Sequence, residues 1–409
     1  MNTCAQKIFL VMVTALTTLL AACGGGGGYG GNSGSGGMSY PGTLGVSMTD
    51  APACGFDAVN VTVNKVRVHQ SSTATDTDGG WADIALSPAR KINLLDLTNG
   101  ALDQLGQTSL SSGHYTQLRL VLNANTGQTV ANSVVLSGTT TEIALSTPSA
   151  VQSGIKLINQ FDVPSGGRVD LVLDFDACKS VVTMGNGAYA LKPVIQVIPT
   201  ALNGIDGFVN LAVLTDHVVV SAQQNGTVVR STVPSLTGEF FLARLAPGNY
   251  DVVITADNRA TAVIAAVPVA TTTSTTMVST TAAPINLLAA TSPPGSISGT
   301  VTLNPVSTTE FGDLAARQTF SGGPTVTVGA RTADALNGSY TLANLPTVAP
   351  QLGTYSATLP IALTTQTNTT PGTGKYAVRA SATDYTAQTN ASVDISTANQ
   401  TGINFTLIP

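Results

Sequence analysis

Between Ala58 and His69 the chain runs Val59-Asn60-Val61-Thr62-Val63-Asn64-Lys65-Val66-Arg67-Val68, apolar and polar side chains in nearly strict alternation with one break of phase at Lys65. Side chains two apart share a face of an extended strand, so this ribbon has one wet face and one dry face that another sheet must cover. The phase break predicts a bulge. Further short runs of the same kind are separated by turn residues: Leu44 to Met48, Trp81 to Leu86, Tyr115 to Leu122, Val130 to Leu136, Glu142 to Leu145, Arg168 to Phe175 and Ala188 to Ile198. Charged residues make up only 10 % of the chain while Thr and Val are abundant, a composition for sheet rather than for long amphipathic helices. Only Ile92 to Leu105 reads as helical, and it is short.

The front end carries a different signal. Lys7 precedes an uncharged apolar run from Ile8 to Leu20, then Leu20-Ala21-Ala22-Cys23 and a glycine tract, the layout of a secretory signal with a small-residue cleavage site. The run falls short of the roughly 20 apolar residues a membrane-spanning helix needs. Leu20-Ala21-Ala22-Cys23 resembles the bacterial lipobox. That resemblance implies cleavage before Cys23 and diacylation of its thiol, palmitate included, and two or more acyl chains at about 0.8 kcal/mol per buried methylene form a permanent anchor. Gly24 stands where an aspartate would imply inner-membrane retention, so the resemblance points to the outer membrane, facing the periplasm or the outside. The segment 24–37, almost all glycine, cannot bury enough apolar surface to order itself and is expected to be a tether of roughly 20 Å.

With 17 Lys and Arg scattered against 22 Asp and Glu, the chain lacks the basic patch that nucleic-acid binding requires. Of its four cysteines, Cys4 leaves with the signal and Cys23 takes lipid. Cys54 and Cys178 remain, and an even pair in an oxidising compartment reads as a disulfide, the rival being two separate buried thiols.

Five segments are expected: signal peptide 1–22, lipid-anchored tether 23–41, and β units at 42–200, 201–290 and 295–409. Within the first unit, Leu44-Gly45-Val46-Ser47-Met48-Thr49-Asp50-Ala51-Pro52, Asn93-Leu94-Leu95-Asp96-Leu97-Thr98-Asn99-Gly100, Ser112-Gly113-His114-Tyr115-Thr116-Gln117-Leu118-Arg119-Leu120, Asp174-Phe175-Asp176-Ala177 and Leu191-Lys192-Pro193 resemble DUF4382, a bacterial envelope family of unknown function. In the second, Thr237-Gly238-Glu239-Phe240-Phe241-Leu242 and Leu245-Ala246-Pro247-Gly248-Asn249-Tyr250 resemble carboxypeptidase-regulatory-like, transthyretin-like sandwiches. The third repeats the theme in Asn337-Gly338-Ser339-Tyr340-Thr341-Leu342, Leu345-Pro346 and Gly374-Lys375-Tyr376, but an insertion from about Thr347 to Thr373 splits the last two. Leu110 to Tyr115 shares the L-x-x-G-x-Y spacing of Leu245 to Tyr250, which suggests that the first unit is an elaborated relative of the others. The expected fold class is therefore all-β, tandem β-sandwich modules of Ig-like or transthyretin-like kind behind a lipoprotein signal and a glycine-rich tether.

Chemistry is sparse. The three histidines, His69, His114 and His217, have no second ligand at metal spacing, and no serine sits in a nucleophile elbow. Asp174 and Asp176 share a strand face and could work as acid and base, or hold Ca²⁺ with Asp50 or Asp57. The plainer expectation is a solvated strand end neutralised by Lys179 or Arg168. Asp76, Asp78 and Gly79 match only part of a calcium loop and read as a polar hairpin. Trp81, the sole tryptophan, reads as core, with stacking on a sugar ring as the alternative. The sequons at Asn60, Asn225, Asn337 and Asn390 are expected to be unmodified in a bacterial lipoprotein. No cofactor, metal or catalytic residue is expected and the ligand-binding residues are unknown. The leading expectation is a non-enzymatic envelope protein that binds, adheres or supports, with an envelope protein or glycan as partner. A carbohydrate-binding accessory protein and a hydrolase using Asp174 and Asp176 are the alternatives.

Overall fold

The computed structural model describes residues 40–51, 55–127, 130–147, 154–157, 160–200, 202–307 and 310–409. The signal, Cys23, the tether up to residue 39 and Cys54 lie outside these residues, as does the side chain of Cys178. The described chain is built almost wholly of strands, and none of its helices is long and apolar enough to cross a membrane.

The first unit pairs a four-stranded sheet with an eight-stranded one. The smaller sheet runs Ile195–Pro199, Arg168–Asp176, Gly42–Ala51, Asp103–Leu110, with its two central strands parallel. The larger is organised around Phe56–His69, whose register shifts between Val63 and Lys65, where the alternation of the sequence breaks phase. The dry face of that strand, Val59, Val61, Val63, Val66 and Val68, is buried against Leu44, Val46 and Met48 of the opposing sheet. The helical expectation for Ile92 to Leu105 fails. A strand continues to Asn93, a 3-10 turn covers only Leu94–Leu97, and Asn99 and Gly100 take positive φ before the next strand starts at Asp103. Ile92 and Leu105 reach the core from the flanking strands and Leu94 and Leu97 from the turn, so the helical part of the apolar pattern is a single turn.

In the second unit Glu239–Ala243, Gly204–Phe208 and Thr275–Met277 form a three-stranded sheet, packed over a sheet ordered Thr227–Thr232, Val219–Gln224, Gly248–Thr255, Ala262–Val269. That second sheet then takes two strands from the insertion of the third unit: Gln351–Thr354 adds parallel to Ala262–Val269, and Thr364–Thr365 pairs with it in turn. Tyr355, Ile361 and Leu363 from the same insertion pack on the second unit's core. The third unit closes Ser339–Leu345, Gly295–Leu303 and Phe405–Leu407 over a five-stranded sheet containing Asp313–Phe320 and Lys375–Ser381.

One feature recurs in all three cores. The Tyr115 hydroxyl donates to the Ser111 carbonyl (3.1 Å), Tyr250 to Ala246 (2.7 Å) and Tyr376 to Pro346 (2.6 Å). In each case the acceptor follows the leucine of the motif, Leu110, Leu245 or Leu345. This is a tyrosine corner, a buried ring that ties a strand start back to the preceding turn. In the third unit Leu345 and Tyr376 are 31 positions apart instead of 5, 26 more, yet the bond to the carbonyl after the leucine is kept.

The units are packed side by side rather than strung out. Residues from Ser39 to Pro409 form one compact body. Val253 and Val263, on the outer face of the second unit's sheet, meet Phe320 and Val326 of the third in a separate apolar cluster. That second covering layer explains why Val252-Val253-Ile254 and Ala262-Val263-Ile264 are continuous apolar runs instead of alternating ones.

Candidate functional site

The acidic strand end lies where the first and second units meet. Asp174 sits between Thr49 and Gln196 of the flanking strands and is 6 % exposed. Its Oδ2 forms an ion pair with Nη1 of Arg230, from the second unit's Thr227–Thr232 strand, itself only 8 % exposed. The carboxylate is thus neither solvated nor served by Lys179 or Arg168. Arg168 pairs instead with Asp170 (2.6 Å), and Lys179 with Asp176 (2.8 Å). Asp176 also caps the short helix Ala177–Ser180, accepting from the Lys179 amide at 3.1 Å. Asp50 accepts from the Ala177 amide at 3.1 Å. Asp57 is elsewhere, accepting from the Gly138 amide (2.9 Å). The candidate carboxylates therefore hold backbone or a single cation each, and among the described residues no cluster of three or more His, Cys, Asp or Glu has the arrangement of a metal site.

Around this pair the seam is polar. Asn99, held at positive φ, donates its amide to Thr232 Oγ1 (3.0 Å), and its Oδ1 accepts from that hydroxyl (2.8 Å) and from the Phe241 amide (3.1 Å). Arg244 reaches the Gly100 carbonyl (3.3 Å). Burial, with Arg244 as a second cation nearby, pulls the Arg230 guanidinium down to about 10, so it remains charged at neutral pH. Asp174, Asp176, Lys179, Gln196 and Arg230 line a shallow open cleft beside the pair.

Two further seams complete the body. Asp334 of the third unit is buried and accepts from Thr183 Oγ1 (2.9 Å), the amide of Gly185 (2.7 Å) and the amides of Leu336 (2.9 Å) and Asn337 (3.2 Å). Burial alone would raise its carboxyl, but these four donors outweigh it and hold the pKa below the ordinary value. Between the second and third units, Gln223 exchanges two hydrogen bonds of 2.8 Å with the backbone of Thr327.

The histidines are placed as local struts. His114 bonds Asp162 (2.8 Å), His217 bonds Asp257 (2.8 Å), and His69 lies against the Gly79 carbonyl (3.0 Å) and the Trp81 ring. Trp81 is half-buried just ahead of its strand, not in the core. The guanidinium carbons of Arg67 and Arg119, directly opposite each other on neighbouring strands, both lie 4.7 Å from its ring centroid. The loop between is the expected polar hairpin: Asp78 accepts from the Thr75 amide, and Arg67 from below donates to the Asp76 carbonyl.

Sequence reasoning missed Arg230, Arg244 and Asp334. A signal was present for Arg230, since a lone charge inside Val228-Val229-Arg230-Ser231-Thr232 has to find a partner off its own strand.

Residues 41–193 match the family described as a domain of unknown function (DUF4382). No curated protein matches the chain. Among solved structures, a cohesin–X-dockerin complex from Acetivibrio cellulolyticus is 27 % identical over 22 % of this chain and 58 % of that one, at a TM-score of 0.19. The Bacillus anthracis TIE protein is 11 % identical over 90 % of this chain and 50 % of its own, at 0.16. The Corynebacterium diphtheriae major pilin SpaA is 11 % identical over 90 % of this chain and 100 % of its own, at 0.19. The chain thus spans between half and three fifths of the length of the first two.

Proposed function

We propose that the chain is a non-enzymatic lipoprotein of the outer membrane, anchored through Cys23 and serving as a binding, adhesion or structural module of the cell envelope. The observation that carries the non-enzymatic part is the ion pair between Asp174 and Arg230: of the two carboxylates with a catalytic pattern, Asp174 is spent on joining two units, and Asp176 holds Lys179 and the start of a short helix. The lipobox-like Leu20-Ala21-Ala22-Cys23 and the glycine tract behind it support the anchor. Three sandwiches joined by the Asp174–Arg230 pair, the Asp334 bonds and the Gln223–Thr327 bonds form a body that can present a surface to a partner. Mass spectrometry of the chain purified from palmitate-labelled cells tests the anchor. Acyl mass on Cys23, lost in Cys23→Ala together with membrane fractionation, is expected, and an unacylated native chain would overturn it. Turnover of any glycan or peptide panel that Asp174→Asn abolishes would overturn the non-enzymatic part. A second reading, a carbohydrate-binding accessory protein, draws on the half-exposed ring of Trp81. A glycan array that stays silent, or binding that survives Trp81→Ala, removes it.

A further inference from the structure

The outer face of the third unit's larger sheet holds two arginines with no acid to answer them. Arg317 lies opposite Ala377, and Arg379 opposite Ala315, on adjacent antiparallel strands, so the two arginines are diagonal neighbours on one face with alanines directly opposite each. Arg317 is half-buried; its Nε is out of solvent and makes no hydrogen bond. The turn at Gly226 of the second unit lies beside it, close enough that a Cβ there would be in ordinary contact with that Nε at 3.5 Å. Arg379 donates only to Ser381 Oγ (3.0 Å). The acid further along the strand, Asp313, accepts from Thr332 Oγ1 (2.6 Å) and pairs with neither arginine. The hydroxyls of Thr319 and Thr325 satisfy one another, and that of Thr327 serves the Gly226 carbonyl. Burial first, and Arg379 second, push the Arg317 pKa down. A fold gains nothing from partly desolvating one cation beside another with its donors unused.

We propose that Arg317 and Arg379 form a binding site for a phosphate-class dianion, at the seam of the second and third units. Two guanidinium forks supply paired donors and two positive charges, which a phosphate matches in both respects and a single carboxylate matches in only one. The inference rests on the binding-module reading and gives it a ligand chemistry.

The test is calorimetric titration of the full chain in detergent with inorganic phosphate, and with acetate as the monoanionic control. Saturable phosphate binding is expected, at least ten-fold weaker in Arg317→Gln and in Arg379→Gln and unchanged in Arg331→Gln, which alters an exposed arginine of the same unit. Without phosphate, Arg317→Gln is expected to melt no lower than the parent, because the arginine makes no bond that the fold uses. Glycerol 3-phosphate and glucose 1-phosphate, as competitors, separate a lipid headgroup from a phosphorylated glycan as the natural source. The proposal is overturned by absence of phosphate binding, by equal binding of acetate, by unweakened binding in both variants, or by a phosphate-free melting point that falls in Arg317→Gln. None of those results touches the acyl mass on Cys23, so the envelope reading stands or falls separately.

Discussion

Replacing Arg230 by Met keeps an unbranched chain of similar length in the seam but leaves Asp174 buried without its cation. Two routes are open to the stranded carboxylate, and both have a cost. Staying ionised without a partner in a site 6 % exposed costs on the order of 3–5 kcal/mol. Taking a proton instead costs about 1.4 kcal/mol for each pH unit above the ordinary aspartate value near 3.9, so about 4 kcal/mol at pH 7. The second route caps the first, and the loss at pH 7 is expected to be about 4 kcal/mol. In the variant the folded pKa of Asp174 is raised above its unfolded value, so the penalty grows as pH rises and shrinks to about 1 kcal/mol at pH 4.5. Urea denaturation at the two pH values, followed by circular dichroism and by Trp81 fluorescence, measures both numbers. Asp174→Leu combined with Arg230→Met removes both charges and should recover most of the loss, since an apolar pair of similar volume is often as stable as a buried ion pair. A loss below about 1 kcal/mol that does not change with pH would refute the reasoning. It would mean that Arg244, in the same seam, takes over the carboxylate.

Three other outcomes follow from the same seams and cores. Asp334→Ala strands donors from Thr183 and Gly185 of the first unit and is expected to cost about 1.5–3 kcal/mol, the scale of hydrogen bonds to a charged group. Because the folded pKa of Asp334 is depressed, its contribution is complete above the ordinary carboxylate value and is lost as pH falls through the lower folded value; hydrogen exchange at Gly185 should quicken in that acid range in the parent chain and at every pH in the variant. Tyr376→Phe deletes the bond to Pro346 inside a buried corner and should lower stability by about 1 kcal/mol by thermal melting, with no gain in the exposure of the insertion to protease. For Cys54 and Cys178, the strands Gly42–Ala51 and Arg168–Asp176 end in register at Ala51 and Asp176, and a bridge just beyond them would close a loop worth about 4–5 kcal/mol in the entropic account. The non-reduced chain should weigh two hydrogens less, and reduction should lower its melting point.

How much of this was legible depends on how local its cause was. The strands of the first unit, and the bulge at Lys65, were readable because alternation is a local consequence of a sheet with one dry face. The recurring L-x-x-G-x-Y spacing was readable too, and the three tyrosine hydroxyls give it a physical meaning: the leucine fixes the core end of a turn, and the tyrosine reaches back to the carbonyl beside it. The segment after Ile92 misled because a single 3-10 turn and a helix share the same apolar spacing over five residues, and the choice was made by Asn93 capping Leu95 and by the break at Asn99 and Gly100.

The candidate site was readable only as chemistry and not as geometry. Asp174 and Asp176 were found together, yet their partners lay 56 residues away in Arg230 and three residues away in Lys179, and nothing in the strand distinguishes the two cases. A buried charge in a poorly charged sequence must be answered somewhere, so the useful question for each one is which strand outside its own unit carries the lone opposite charge. Asked of Asp174, that question leads to Arg230; Asp334 is answered without a charge, by the hydroxyl of Thr183 and the amide of Gly185 in the first unit and two amides of its own turn. Asked of Arg317 and Arg379 it finds no carboxylate among the described residues, and it is on that unanswered pair, not on the acidic strand end, that the proposed anion site rests.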